Sequence, residues 1–112
     1  MLSKINRLTR EVDFALVKAK GIVFQEKDFA LAVMNRGAGD SRFGFVISTR
    51  ISKKANKRNK AKRILREVVQ KTLPDLKKGY DVIFLAKGGV LDLDKAKAEI
   101  EVGRALKNAG LI

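Results

Sequence analysis

Residues 50–72 read RISKKANKRNKAKRILREVVQKT. Within this stretch Ala61, Ile64, Leu65, Val68, Val69 and Thr72 recur at spacings of three and four, the period of one helix face. The spacing predicts a helix over 57–72 with a single apolar stripe. Asn59, Lys62, Arg63 and Arg66 keep the same rhythm on another face. One helix therefore carries a core side and a cationic side. Such a stripe cannot bury itself; it needs a sheet or other helices to lie on.

The flanking sequence supplies a sheet. After Pro74 and Gly79 end the helix, YDVIFLA at 80–86 reads as a central strand. Lys87 to Gly89 form a turn. A last helix is predicted over 92–108, capped by Asp92 or Asp94, with Ala96, Ile100, Gly103 and Leu106 or Lys107 along one side. Upstream, RFGFVIS at 42–48 is a strand with Phe43, Phe45 and Ile47 on one face, and NRGAGDS at 35–41 is a turn. Residues 22–34, IVFQEKDFALAVM, read as strand. Phe29, Leu31 and Val33 fall on one side, Ala30, Ala32 and Met34 on the other, so both sides are partly covered. Glu26 and Lys27 mark either a bend or a hairpin turn. Thr9 is a candidate cap for a helix over 10–19, where Val12, Leu16 and Ala19 share a face that Phe14 and Val17 broaden, and Gly21 ends it. Residues 1–10 read as an extended arm. With no repeat or linker, 1–112 is expected to be one domain, a small α+β sandwich on a single sheet.

Charge narrows the function. The 112 residues hold 25 Lys or Arg and 12 Asp or Glu, a formal net charge of +13. Residues 50–66 hold nine basic residues and no acidic one, whereas the residues before and after them are nearly balanced. A localised patch of this kind implies docking on a polyanion, most simply nucleic acid. It lacks the aromatic anchors of a membrane-surface helix. A hydrophobic content of 46% suffices for one core and argues against disorder of the whole chain. With no Cys and no His, thiolate chemistry, imidazole general bases and the usual zinc sites are excluded. Charged residues recur from Lys4 onward and no window approaches eighteen apolar residues, so neither a secretory leader nor a membrane span is expected, and the cytoplasm is the default location.

Arg and Lys at helical spacing can straddle phosphates, and Arg can also stack on exposed bases. Asn59 suits a base edge, a 2′-hydroxyl or a local cap. A basic helix set inside a sheet domain points to RNA, read by backbone and shape, more than to DNA. Asp13, Asp28 and Asp81 are candidates for Mg²⁺ only by residue type, and their plainer reading is surface or capping carboxylates. Phe14, Phe29 and Phe45 read as core residues before stacking platforms. LDLD at 91–94 reads as a helix cap, and no acidic pair is spaced for two-metal cleavage. The chain is not expected to cleave anything unaided.

The sequence resembles the protein subunit of bacterial ribonuclease P. The resemblance rests on RFGFVIS at 42–48 and KRNKAKRILRE at 57–67, with NRLTREVDF at 6–14 and YDVIFLAK at 80–87 also in place. Arg42, Gly44 and Ser48 fit the family's R-x-G-x-x-x-S strand. Arg58, Asn59, Lys62, Arg63, Arg66 and Glu67 fit its R-N-R-x-K-R-x-x-R-E helix. The resemblance implies an α-β-β-β-α-β-α order with a left-handed βαβ crossover, like the second domain of ribosomal protein S5. It implies a subunit that binds a catalytic RNA and the 5′ leader of precursor tRNA, while Mg²⁺ held mainly by the RNA supports cleavage. Carried over, Arg50, Lys53, Lys54, Lys57, Arg58, Asn59, Lys60, Lys62, Arg63 and Arg66 would meet the catalytic RNA. Phe14, Lys18, Phe29, Ala32 and Arg42 would line the leader cleft. Neither a membrane nor DNA is implied as a partner.

Three departures stand out. Lys18 and Ala32 occupy positions where aromatics are usual, so stacking on leader bases should weaken, with Lys18 offering a phosphate contact instead. Lys60 replaces the second Arg of the motif, and one extra residue lies between Ser48 and Arg58. The rival reading is a ribosomal or RNA-chaperone protein that binds structured RNA without catalysis; a DNA-binding regulator ranks third.

Overall fold

The computed structural model describes residues 2–112. Its elements are α1 (Glu11–Lys20), β1 (Ile22–Gln25), β2 (Phe29–Asn35), β3 (Arg42–Val46), α2 (Ala55–Thr72), β4 (Tyr80–Ala86) and α3 (Lys95–Asn108), with short 3-10 turns at Lys4–Asn6, Leu73–Asp75 and Gly88–Asp92. The expected α-β-β-β-α-β-α order is present. The strands lie in the order β1-β2-β4-β3. β1 and β2 form an antiparallel hairpin turning through residues 26–28, which resolves the ambiguity at Glu26 and Lys27. β2 also pairs antiparallel with the central β4, and β4 pairs parallel with β3. Helix α2 makes the crossover between those two parallel neighbours.

Strand alternation sorts the core onto two faces. One face presents Phe29, Leu31, Val33, Phe43, Phe45, Val82 and Phe84 to α2 and α3. There the Phe84 ring lies 5.2 Å from Phe29 and 5.0 Å from Phe45. Burying each such side chain contributes roughly 1.5–3 kcal/mol relative to exposure. Helix α2 adds Ala61, Leu65, Val68 and Val69, the stripe read from the sequence. The other face is thinner: Ala32 and Ile83 meet Leu8 and Val17, with Phe14, Met34, Val46 and Leu85 partly buried around them.

Several expectations need correction. Helix α1 docks through Phe14 and Val17, while Val12 and Leu16 are exposed. Its short face straddles the sheet, so the longer apolar spacing is not the contact side. Helix α3 buries Ala98, Glu101, Val102, Ala105 and Leu106, and Ile100 points to solvent. Asp94, not Asp92, is its cap, accepting from the Lys97 N–H at 2.8 Å. The N-terminal arm is extended apart from its 3-10 turn, and it is docked on the sheet. Leu2 and Leu8 are buried, Arg7 bridges to Phe43, and the Leu8 N–H donates to the Phe43 carbonyl at 2.9 Å. Two apolar anchors one sheet edge apart explain the docking. Among the described residues no helix is long and apolar enough to cross a membrane.

Candidate nucleic-acid interface

The cationic stretch begins in a folded connection. The Ile51 N–H donates to the Ser48 carbonyl at 3.0 Å, and the Lys54 N–H donates to Ser52 Oγ at 3.2 Å. Arg58 Nη1 reaches back 2.7 Å to the Ser52 carbonyl, clasping this connection onto the first turn of α2. Helix α2 starts at Ala55, two residues before the sequence expectation, because its N-cap Lys54 makes no side-chain cap bond and leaves no Ser or Asp signal to read. With no acid in that first turn, the positive end of the helix dipole and the cations around it all favour an anion.

Helical geometry divides the predicted contacts into three groups, since each residue advances about 100°. Arg58, Lys62 and Arg66 share the flank toward β3, where the Arg66 guanidinium lies 5.8 Å from the Phe45 ring centroid. Asn59 and Arg63 point outward and are exposed. Lys57 and Lys60 share the far flank, where they line a groove of about 250 Å³ with Ile64, Leu91 and Asp92. Arg50, Lys53 and Lys54 are exposed on the preceding connection. The ten residues thus wrap the connection and the first two-thirds of α2 and do not form one plane. Five ion pairs exist among the described residues, and none involves residues 50–66. The cationic charge of this surface is therefore available to a partner.

The opposite face of the sheet holds the second predicted region, and there the residues separate. Phe14 packs where Gly44 leaves room: a Cβ at Gly44 would stand 2.6 Å from two atoms of the Phe14 ring. Lys18 lies one turn further along the same flank of α1 and is exposed. Ala32 is buried in the floor with Ile83, while Val46 and Leu85 are partly open. Phe29 does not belong to this site. It is fully buried on the α2–α3 side against Phe84. The reason is strand parity, because residues 29 and 32 are three apart and must face opposite ways.

Arg42 lies on the α1 face of the sheet, where acids of the same chain surround it. Its Nε and Nη2 donate to the two carboxylate oxygens of Asp81 at 2.8 and 2.6 Å, and its Nη1 donates to Asp13 at 3.4 Å. Arg36 adds a second guanidinium to Asp81 at 3.0 Å. The four charges cancel, so Arg42 brings no net positive charge to the face. Its hydrogen bonds to Asp81 raise its pKa above the ordinary value against the opposing effect of burial, so it stays charged. This network was missed from sequence. Asp13 and Asp81 stood out only as acids, and nothing local links positions 13, 36, 42 and 81. Val46 and Leu85 were readable in principle, since alternation places them on the face of Ala32.

The ribonuclease P family model matches residues 2–110. The chain belongs to the ribonuclease P protein family. The ribonuclease P protein component of Synechocystis sp. is 31% identical over 112 residues, covering 99% of this chain and 90% of that one. The RNase P protein from Thermotoga maritima superposes with a TM-score of 0.82 at 26% identity over 91% of this chain and 96% of that one. The RNase P protein of Staphylococcus aureus shares the fold, with a TM-score of 0.86 at 24% identity over 96% and 98% of the two chains. The α+β fold with a mixed sheet and flanking helices is thus the ribonuclease P protein fold.

Proposed function

We propose that the protein works as the protein subunit of ribonuclease P, binding the catalytic RNA and precursor tRNA so that the 5′ leader is removed. The observation that carries this is the uncompensated cationic surface over residues 50–66, in a chain of this family. The connection 50–54 and the residues Arg58, Asn59, Lys62, Arg63 and Arg66 meet the RNA subunit. Lys57 and Lys60 touch it from the other flank. The groove beside α1, with Phe14 and Lys18 on its wall and Ala32, Val46 and Leu85 on its floor, takes the leader. Its aliphatic floor offers no aromatic ring to stack on, which favours phosphate contact through Lys18.

Mg²⁺ is assigned to the RNA. Asp13 and Asp81 face guanidinium groups, Asp28 lies against Gly89 and Glu101, and no cluster of three or more potential ligands occurs among the described residues. These contacts support leaving Mg²⁺ mainly to the RNA. We also take the crossover from β3 through α2 to β4 as left-handed, on the pattern of the family; an experimental structure showing the right-handed connection would remove that point.

Reconstitution tests the function. Adding the protein to catalytic RNA and labelled precursor tRNA at low Mg²⁺ should raise cleavage well above the level given by a simple polycation. No gain over the polycation would instead favour a ribosomal or RNA-chaperone role.

A further inference from the structure

Helix α1 is held at both ends. At its C-terminal end the Gly21 N–H donates to the Val17 carbonyl at 2.7 Å, and a Cβ at Gly21 would meet that carbonyl oxygen at 2.5 Å and the Val33 oxygen at 3.1 Å. That end is fixed by backbone packing. The N-terminal end is fixed by side chains, since the helix residues Asp13 and Phe14 sit on the strand residues Arg42 and Gly44. Positions 42 and 44 share one face of β3, so the two contacts form a two-point seat.

The strengths of those contacts differ. Arg42 is locked to β4 by a bidentate pair with Asp81, whose side chain is 1% exposed. Its reach to Asp13 is longer, at 3.4 Å, and both partners there touch solvent. Arg42 therefore belongs rigidly to the sheet and holds α1 through Asp13. Asp13 lies with Leu16 and Lys20 on one flank of α1, lining a groove of about 590 Å³ with Met34, Arg36, Arg42 and Asp81. Phe14 and Lys18 lie on the other flank, facing the leader groove. Any roll or lift of α1 about the Asp13 contact moves Phe14 and Lys18 relative to Ala32, Val46 and Leu85.

We propose that Arg42 is a positioning residue for leader recognition: held by Asp81 and reaching to Asp13, it sets where α1 lies on the sheet and thereby the width of the leader groove, without touching the leader. This rests on the leader groove named above and deepens it. Its charge is balanced by carboxylates of the same chain, which removes it from the set of phosphate ligands. The device also accounts for Gly44, because α1 can close onto Arg42 only if Phe14 finds no Cβ beneath it.

Asp13 gives the cleaner test, since removing it leaves the buried Arg42–Asp81 pair intact. Wild-type protein, Asp13→Ala, Asp13→Glu and Phe14→Ala would each be assembled with the catalytic RNA. Affinity would be measured for leader-bearing precursor tRNA, for mature tRNA and for the RNA subunit, at two salt concentrations. Asp13→Ala should lose about three- to tenfold of the preference for the leader-bearing form, as expected when contact groups are slightly misplaced. The loss should persist at the higher salt, where a mere change of net charge fades. Affinity for the RNA subunit should stay within about twofold, because α2 lies across the sheet, and Asp13→Glu should restore most of the preference. If Phe14→Ala loses the preference while Asp13→Ala keeps it, the groove stands and the positioning role is wrong. If neither variant changes the preference, the groove itself is wrong and the proposal goes with it. An Asp13→Ala loss shared equally by both tRNAs or by the RNA subunit would mean general damage and also overturn it.

Discussion

Arg42 and Arg66 sit on opposite faces of the sheet, Arg42 in β3 itself and Arg66 over β3's Phe45, and they do opposite work. Arg42, with Arg36, is balanced by Asp81 and Asp13. Arg66, with Arg58 and Arg63, forms no ion pair among the described residues, and its guanidinium lies over the Phe45 ring. A count of charges treats the five alike. The structure shows that two of them are neutralised within the chain and three are not, although Arg58 also ties the preceding connection to α2. Balanced, part-buried pairs answer to the loss of a partner. Unbalanced groups open to solvent, even in part, answer to salt and to a polyanion.

The largest expected effect is on the unbalanced side. Replacing Arg58, Arg63 and Arg66 by Ala should weaken binding to the catalytic RNA strongly and flatten its dependence on log salt. Each lost phosphate contact should reduce the slope by about 0.7–0.9. Titrations of labelled RNA across a salt series read this directly. If the slope holds while circular dichroism shows the fold lost, the two classes of arginine have been assigned the wrong way round.

On the balanced side, Asp81→Asn should act on stability and leave the salt slope alone. It strands two guanidiniums that share one carboxylate. Breaking a fully buried pair costs about 3–5 kcal/mol; here both guanidiniums reach water, so about 2–3 kcal/mol is expected. Urea unfolding measures it. A change below about 0.5 kcal/mol would show that solvent already satisfies Arg36 and Arg42.

The same contrast explains what could be read in advance. The stripe Ala61, Leu65, Val68 and Val69 was legible because a long helix repeats its signal several times. The strand alternation at 29–34 and 42–47 was legible as well, and it placed Phe29 away from Ala32. The family pattern grouped those two residues in one cleft, and strand parity should have separated them. For α1 only three turns are present, and its seat is made by Asp13 and Phe14 on residues about thirty positions away. Periodicity has no access to that kind of pairing. Likewise the cationic stretch from Arg50 to Arg66 was plain in the composition, but its division into two flanks and an outer edge needed the position of β3 on one side and the 88–92 turn on the other.

Glu101 supplies the smallest expected effect and a third kind of charge. It is buried on α3, and its Oε2 accepts the Asp28 N–H at 2.8 Å. Burial pushes its carboxyl pKa up, with the neighbouring Asp28 side chain adding to the rise and the Asp28 N–H and Arg104 opposing it. The unfolded chain ionises this group in the ordinary glutamate range, and the folded chain does so only at higher pH. Between those two values the folded state holds the extra proton, so the contribution to stability falls as pH rises through the window and stays low above it. Glu101→Gln keeps an oxygen for the Asp28 N–H and cannot ionise. At neutral pH the variant should match or exceed the wild type by up to about 1 kcal/mol. The gap should close as pH drops below the ordinary glutamate range and should barely respond to salt, unlike binding through α2. A wild type clearly more stable than Glu101→Gln at neutral pH would mean that the ionised carboxylate is itself a stabilising partner of the Asp28 amide and Arg104.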